Sequence, residues 1–162
     1  MSELLTVGIS DYKTGRAPLV IVTYALGSCI GICLYDQVAK IGGLSHIMLP
    51  DSKMFTQSDI NRMKFADTAI PDMLNVLCSM GADRRRITAK IAGGAQMFKV
   101  QEDSPLGMIG TRNTRSVKAV LSELRIPIVN EDTGADYGRT LYFDLQTGNV
   151  RVQSLNKTVV QL

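Results

Sequence analysis

Apolar residues fall into two kinds of run along the chain, and the alternation between them predicts a mixed α/β or α+β domain. Short β-branched or apolar stretches read as strands at 4–9, 19–25, 30–35 and 41–49. Residues 10–18, with Asp11, Lys13, Gly15, Arg16 and Pro18, read as a loop between the first two. Residues 58–80 carry the strongest helical period, through Ile60, Met63, Ala66, Ile70, Met73 or Leu74, and Leu77. Ser58 suits the N-cap and Gly81 the stop, while Pro71 inside the run is expected to kink or split it. A strand at 87–92 follows, then Gly93-Gly94. A second helix is expected at 113–125, with Val117, Val120, Leu121 and Leu124 on one face. Strands at 126–131, 139–145 and 149–155 close the chain, the last two joined by a Gln146-Thr147-Gly148 hairpin turn. The order is strands, helix, strand, helix, strands, with hairpins rather than repeated βαβ units.

Composition narrows the class. The chain's 162 residues, 45 % hydrophobic and 20 % charged, suit one folded domain over 1–162 with little disorder. A net charge of +3 is too mild to argue for nucleic acid, and without tryptophan there is little to stack on bases. The basic run Arg84-Arg85-Arg86 reads as a solvated turn between a helix and a strand. The amino-terminal residues have no basic and apolar signal pattern, and no run nears the roughly 18 apolar residues that span a membrane. Three cysteines make a disulfide framework a poor fit, so a reducing cytoplasm is the expected setting.

The candidate chemistry begins with a scarcity. The chain has one histidine, His46, so any imidazole base must be this residue. It stands near the end of an expected strand, before the loop turned by Pro50, where side chains reach clefts. Cys29 follows Leu26-Gly27-Ser28 at the junction of two strands. A tight glycine turn can direct several backbone N–H groups at one point beside a thiol, as acyl transfer by a thiolate requires. The bland alternative is a small buried hydrophobe. Cys33, mid-strand, and Cys78, in the helix, read as core residues. The cysteine and histidine spacing is a poor zinc pattern, so no metal is expected. Thr23, on the strand before Cys29, is a candidate third member to orient the imidazole. Gly93-Gly94 lacks the spacing and lysine of a phosphate loop and reads instead as a close backbone approach, to another segment or to an extended ligand.

These residues together resemble the CheD family, the chemoreceptor glutamine deamidases of bacterial and archaeal chemotaxis. The likeness runs from about Val7 to Val152. Leu26-Gly27-Ser28-Cys29-Ile30 and Gly43-Leu44-Ser45-His46-Ile47-Met48-Leu49-Pro50 carry it most strongly. Lys90-Ile91-Ala92-Gly93-Gly94-Ala95-Gln96-Met97-Phe98 forms a second block, and Ile109-Gly110-Thr111-Arg112-Asn113 a third. The fourth comprises Asp132-Thr133-Gly134, Gly138-Arg139 and the Thr147-Gly148 turn. One departure is Gly134-Ala135, where family members tend to carry a glycine pair.

The resemblance implies a β-sandwich-like mixed α/β fold flanked by two main helices. It implies Cys29 as nucleophile, His46 as base and acid, and Thr23 as the orienting residue of a protein-glutamine deamidase. Gly27, Ser28, Gly93 and Gly94 are the candidates for oxyanion or substrate binding, and no cofactor is implied. The implied partners are the cytoplasmic helices of a chemoreceptor and a CheC-type phosphatase, with no nucleic acid and no membrane insertion. The same acyl chemistry would also cleave a glutamate methyl ester. Rival readings are a binding regulator of that phosphatase with vestigial catalysis, and a thiol peptidase or transglutaminase.

Overall fold

A computed structural model describes residues 3–54, 60–97, 108–155 and 158–162. The strands are β1 (Leu4–Val7), β2 (Asp11–Arg16), β3 (Val20–Leu26), β4 (Ile30–Asp36), β5 (Ile41–Ile47), β6 (Thr88–Gly93), β7 (Ile128–Thr133), β8 (Arg139–Asp144), β9 (Val150–Ser154) and β10 (Val159–Gln161). The helices are α1 (Ala66–Ser79) and α2 (Ile109–Glu123). The strands form two five-stranded sheets, ordered β1-β3-β8-β9-β10 and β2-β5-β4-β6-β7. The result is a mixed α+β sandwich with helices on one side.

Strand periodicity explains the layering. In β4, Ile30, Ile32 and Leu34 point to a core shared with α1 and α2. The alternate residues Cys33 and Tyr35 point to a second core, shared with Ile21, Leu141, Phe143 and Val150 of the facing sheet. The central sheet is therefore buried on both faces in its middle, where β4 and β5 are buried at every position. The facing sheet keeps one solvated side, so β8 and β9 alternate between buried and less buried residues.

Several expectations are corrected. Residues 10–18 contain a strand, β2, which pairs antiparallel with β5 from Asp11↔His46 to Arg16↔Ile41. Its polar residues and glycine are tolerated because it lies at a sheet edge. The first helix starts at Ala66, not 58. Leu49 bridges Phe65 in parallel, and a separate 3₁₀ turn, Arg62–Lys64, is capped by the Asn61 side chain. Ile60 and Met63 thus lie outside α1, and Ser58 lies outside the described residues. Pro71 does not split α1, since Ala69, Ile70, Met73, Leu74 and Leu77 are fully buried around it. Gly81 follows the helix with φ of +114°, as a C′ stop requires.

The second helix begins at Ile109, four residues earlier than its periodicity indicated. Its connections add a crossover to the hairpins, because β6 and β7 are parallel neighbours separated in sequence by α2. The basic run is a 3₁₀ turn in which Arg85 is exposed. Arg86 differs, donating to both carboxylate oxygens of the fully buried Asp36 at 2.9 Å. Burial alone would raise that carboxyl. Arg86 and the N–H groups of Asp83, Ala39 and Val38 instead hold it well below the usual range. Among the described residues, no helix is long and apolar enough to cross a membrane.

Candidate active site

Thr23 and His46 meet at one end of the sandwich, and Cys29 lies just before β4, whose Gly31 stands opposite His46. Thr23 lies on β3 of the facing sheet, and its neighbour across the parallel ladder is Val7 of β1. The β3–β8 register shifts between Thr23 and Leu26, and Ala25 there adopts φ of +59°. The bulge bends the strand next to the turn that carries Cys29. His46 lies on β5, flanked by Asp11 of β2 and Gly31 of β4.

Cys29 precedes Gly31 by two residues, so it belongs to the same sheet face as the residues opposite His46. Its contacts with the core between the sheets agree. Diagonal neighbours of this kind lie within reach of an imidazole, about 7–8 Å between backbones. Gly31 has no side chain to stand opposite the ring. Thr23 and His46 are fully buried, whereas Cys29 keeps 9 % exposure and is the member of the set that solvent reaches.

The hydrogen bonds assign the histidine tautomer. Thr23 Oγ1 is 2.8 Å from the Val7 carbonyl oxygen and 2.7 Å from His46 Nδ1. A carbonyl can only accept, so the single hydroxyl proton goes to Val7. The hydroxyl oxygen must then accept from Nδ1–H. Nε2 is left with its lone pair, and it is buried without a hydrogen-bond partner among the described residues. An unpaired buried acceptor is costly unless it is used. Burial lowers the His46 pKa to about 4 and raises that of Cys29, an effect partly offset by the cysteine's own backbone N–H. Thiol and imidazole are therefore both neutral at rest.

Glycines hold the cysteine turn in place. Gly94 N–H donates to the Cys29 carbonyl and Ala95 N–H to the Gly27 carbonyl, each at 2.9 Å. A Cβ on Gly93 would stand 2.1 Å from the Cys29 carbonyl oxygen, and Gly93 has φ of +116°. The close approach expected of Gly93-Gly94 is thus an approach to the Cys29 segment, and the Gly94 N–H is already committed there. Among the described residues, the N–H groups of Gly27, Ser28 and Cys29 donate to no backbone carbonyl. Cys33 is buried deeper in the same core, which pushes its thiol well up, and Cys78 is half-buried on α1. Cys33 is a diagonal neighbour of His46 on the other side of Gly31 but keeps only 2 % exposure, and Cys78 belongs to the helix layer.

Two buried polar residues were named from sequence only as members of the family-like blocks, with no role assigned. Asn113 of α2 donates through Nδ2 to the carbonyls of Ser28 and Met48, at 2.9 and 3.0 Å. Arg139 of β8, opposite Leu26, donates to Asp132 and to the Gly134 carbonyl, and lies over the Tyr137 ring. The available signal for Asn113 was its place on the apolar stripe of α2, in line with Val117, Val120 and Leu121. Arg139 carried a comparable signal at the buried phase of an alternating strand.

Residues 48–154 match the family described as "CheD chemotactic sensory transduction". A protein of Moorella thermoacetica named "Probable chemoreceptor glutamine deamidase CheD" is 51 % identical over 153 residues, covering 93 % of this chain and 90 % of its own length. Proteins of the same name from Clostridium novyi and Syntrophomonas wolfei are 49 % and 46 % identical, covering 93 % and 96 % of both chains respectively. A family match over most of the chain and identities this high over nearly all of it leave one assignment: the chain belongs to the CheD family.

Proposed function

We propose that this protein is a chemoreceptor glutamine deamidase, a hydrolase that converts receptor glutamine side chains to glutamate in the cytoplasm through a thioester on Cys29. The observation that carries the reading is the Val7–Thr23–His46 hydrogen-bond chain, which leaves Nε2 of the only histidine free as a base on the same sheet face as Cys29.

In the proposed cycle, His46 Nε2 takes the Cys29 proton as the sulfur attacks the carboxamide carbon, so charge separation develops with the reaction. Thr23 holds Nδ1–H throughout and steadies the imidazolium. The N–H groups of the Gly27–Cys29 turn, which donate to no backbone carbonyl among the described residues, serve as donors to the developing oxyanion, each aligned donor being worth about 3 kcal/mol. Imidazolium then protonates the leaving nitrogen, and ammonia departs. Water, deprotonated by the regenerated imidazole, attacks the thioester. The C–S bond breaks, the carboxylate forms and the thiol is restored.

A glutamate methyl ester passes through the same acyl-enzyme, so methyl-ester cleavage belongs to the same proposal. The relatives' names support a chemoreceptor as substrate. A CheC-type phosphatase as partner rests on the family resemblance alone.

Peptide mass spectrometry of a receptor cytoplasmic fragment incubated with the protein tests the reading. Conversion of particular Gln residues to Glu, abolished by Cys29→Ala and by His46→Ala, is the expected result. A folded protein that converts no glutamine of a cognate receptor would overturn it. Chain cleavage instead would identify a peptidase, and dependence on an added amine a transglutaminase.

A further inference from the structure

The β4–β5 ladder ends at the pair Ile30↔Ile47. Cys29 lies just beyond that rung, one residue before Ile30, and His46 lies one rung inside it, opposite Gly31. The next rung would join the backbones around Ser28–Cys29 and Met48. That rung is supplied by α2. The two amide protons of Asn113 reach one carbonyl on each chain, Ser28 and Met48. Both acceptors are carbonyls, so the amide orientation is unambiguous: the –NH₂ group faces the strand ends and Oδ1 faces away from them.

The Oδ1 atom is buried and has no hydrogen-bond partner among the described residues. A fully buried asparagine kept with an unpaired oxygen retains a costly group for the sake of its two donors. The preceding turn of α2 holds it in place. Gly110, one turn earlier, packs so closely on the Gly93–Ala95 segment that a Cβ would stand 2.3 Å from the Ala95 carbonyl oxygen. Ser116, one turn later, donates to the Pro50 carbonyl at 2.6 Å.

We propose that Asn113 is a positioning residue. Its side-chain amide substitutes for the missing rung between Ser28 and Met48 and so sets the separation and orientation of Cys29 and His46. The inference rests on the deamidase reading for its catalytic consequence, but not for its geometric one. Asn113 does not touch the reacting atoms. It acts through the backbone, and a displacement near 1 Å between nucleophile and base is enough to cost about 10²-fold in rate.

The test compares wild type with Asn113→Leu, which keeps the number and branching of side-chain heavy atoms without donors, and Asn113→Ser, which is two heavy atoms shorter and keeps one donor. Ser116→Ala removes the neighbouring helix-to-loop bond and serves as control. Two readouts are taken on each folded protein: kcat and KM for receptor-fragment deamidation, and the rate of Cys29 alkylation by iodoacetamide from pH 5 to 10. Expected for Asn113→Leu is a fall in kcat of about 30- to 100-fold with KM within about threefold. Its alkylation profile should coincide with that of His46→Ala, because the thiol no longer senses the imidazole. Asn113→Ser should fall between, and Ser116→Ala should match wild type in both readouts.

A folded Asn113→Leu or Asn113→Ser protein with wild-type kcat and profile would overturn the proposal. So would an equal loss in Ser116→Ala, which would assign the effect to helix docking in general. Should Asn113→Leu fail to fold, Asn113→Ser decides alone. Wild-type protein that deamidates nothing would defeat the functional reading instead. The alkylation profiles need no substrate and would still decide the role of Asn113.

Discussion

The hydroxyl proton of Thr23 is committed to the carbonyl of Val7, 2.8 Å away on the neighbouring parallel strand, and through that commitment a backbone group of β1 decides which nitrogen of His46 is basic. Thr23→Val keeps the shape but removes both hydrogen bonds, so the imidazole is free to adopt the other tautomer. The expected loss in kcat/KM is about 10²-fold, within the usual range for general-base catalysis. Thr23→Ser keeps the hydroxyl and should retain most activity. Deamidation kinetics on a receptor fragment decide between them, and equal activity of the valine variant would exclude the orienting role.

Acid should weaken the fold through His46. Burial holds its folded pKa near 4, against about 6.5 in the unfolded chain. Between these values the unfolded state binds more protons, so stability is complete above pH 6.5 and falls as pH drops toward 4. The difference of about two and a half pKa units corresponds to about 3 kcal/mol. Chemical denaturation at pH 7 and pH 4 should show a contribution of this size that is absent from His46→Gln. An identical pH dependence in the two proteins would refute it.

Gly93→Ala is expected to damage both stability and the site. The new Cβ would meet the Cys29 carbonyl at 2.1 Å, at a backbone conformation with φ of +116°. The strain alone is worth about 1–3 kcal/mol, and any relief displaces the nucleophile's turn. A melting temperature and deamidation rate both equal to wild type would contradict this reading of the glycine pair.

Ala135 offers a change in the opposite direction. It holds φ of +62°, and its carbonyl accepts from Gln96 N–H. Ala135→Gly removes the left-handed strain at the expense of a more flexible unfolded chain, for a net gain of about 0.5–1 kcal/mol. Thermal unfolding of the single variant measures it directly.

Arg139 ties the two sheets at the site end of the sandwich. Its buried guanidinium donates to Asp132 and the Gly134 carbonyl, both in or after β7 of the central sheet, while Arg139 itself belongs to the facing sheet. Arg139→Met leaves Asp132 without its cation and should cost about 3 kcal/mol, the lower end of the range for breaking a buried pair because Asp132 is partly exposed. Arg139→Lys should recover little, since one ammonium cannot reproduce the planar set of donors. Urea unfolding of both variants checks the ranking.

Much of this protein was readable without coordinates. The near-continuous apolar runs of β3, β4 and β5 and the stripe of α1 are direct consequences of burial, and burial selects side chains residue by residue. Cys29 and His46 stood out for a related reason, since nucleophile and base must have particular side chains whatever holds them. Other features escaped because their stability comes from partners distant in sequence. The edge strand β2 has no apolar alternation and exists because β5 supplies its ladder. The start of α1 is set by the Leu49↔Phe65 bridge, and the parallel β6–β7 pairing by the packing of α2. The sequence by itself determined the candidate reactive groups and the family, because chemistry is carried by residue type. Only the tertiary structure decided the tautomer of His46, through a carbonyl of Val7, and the rung that Asn113 adds between Ser28 and Met48. Backbone carbonyls are identical in every residue, and only folding decides which side chain reaches them.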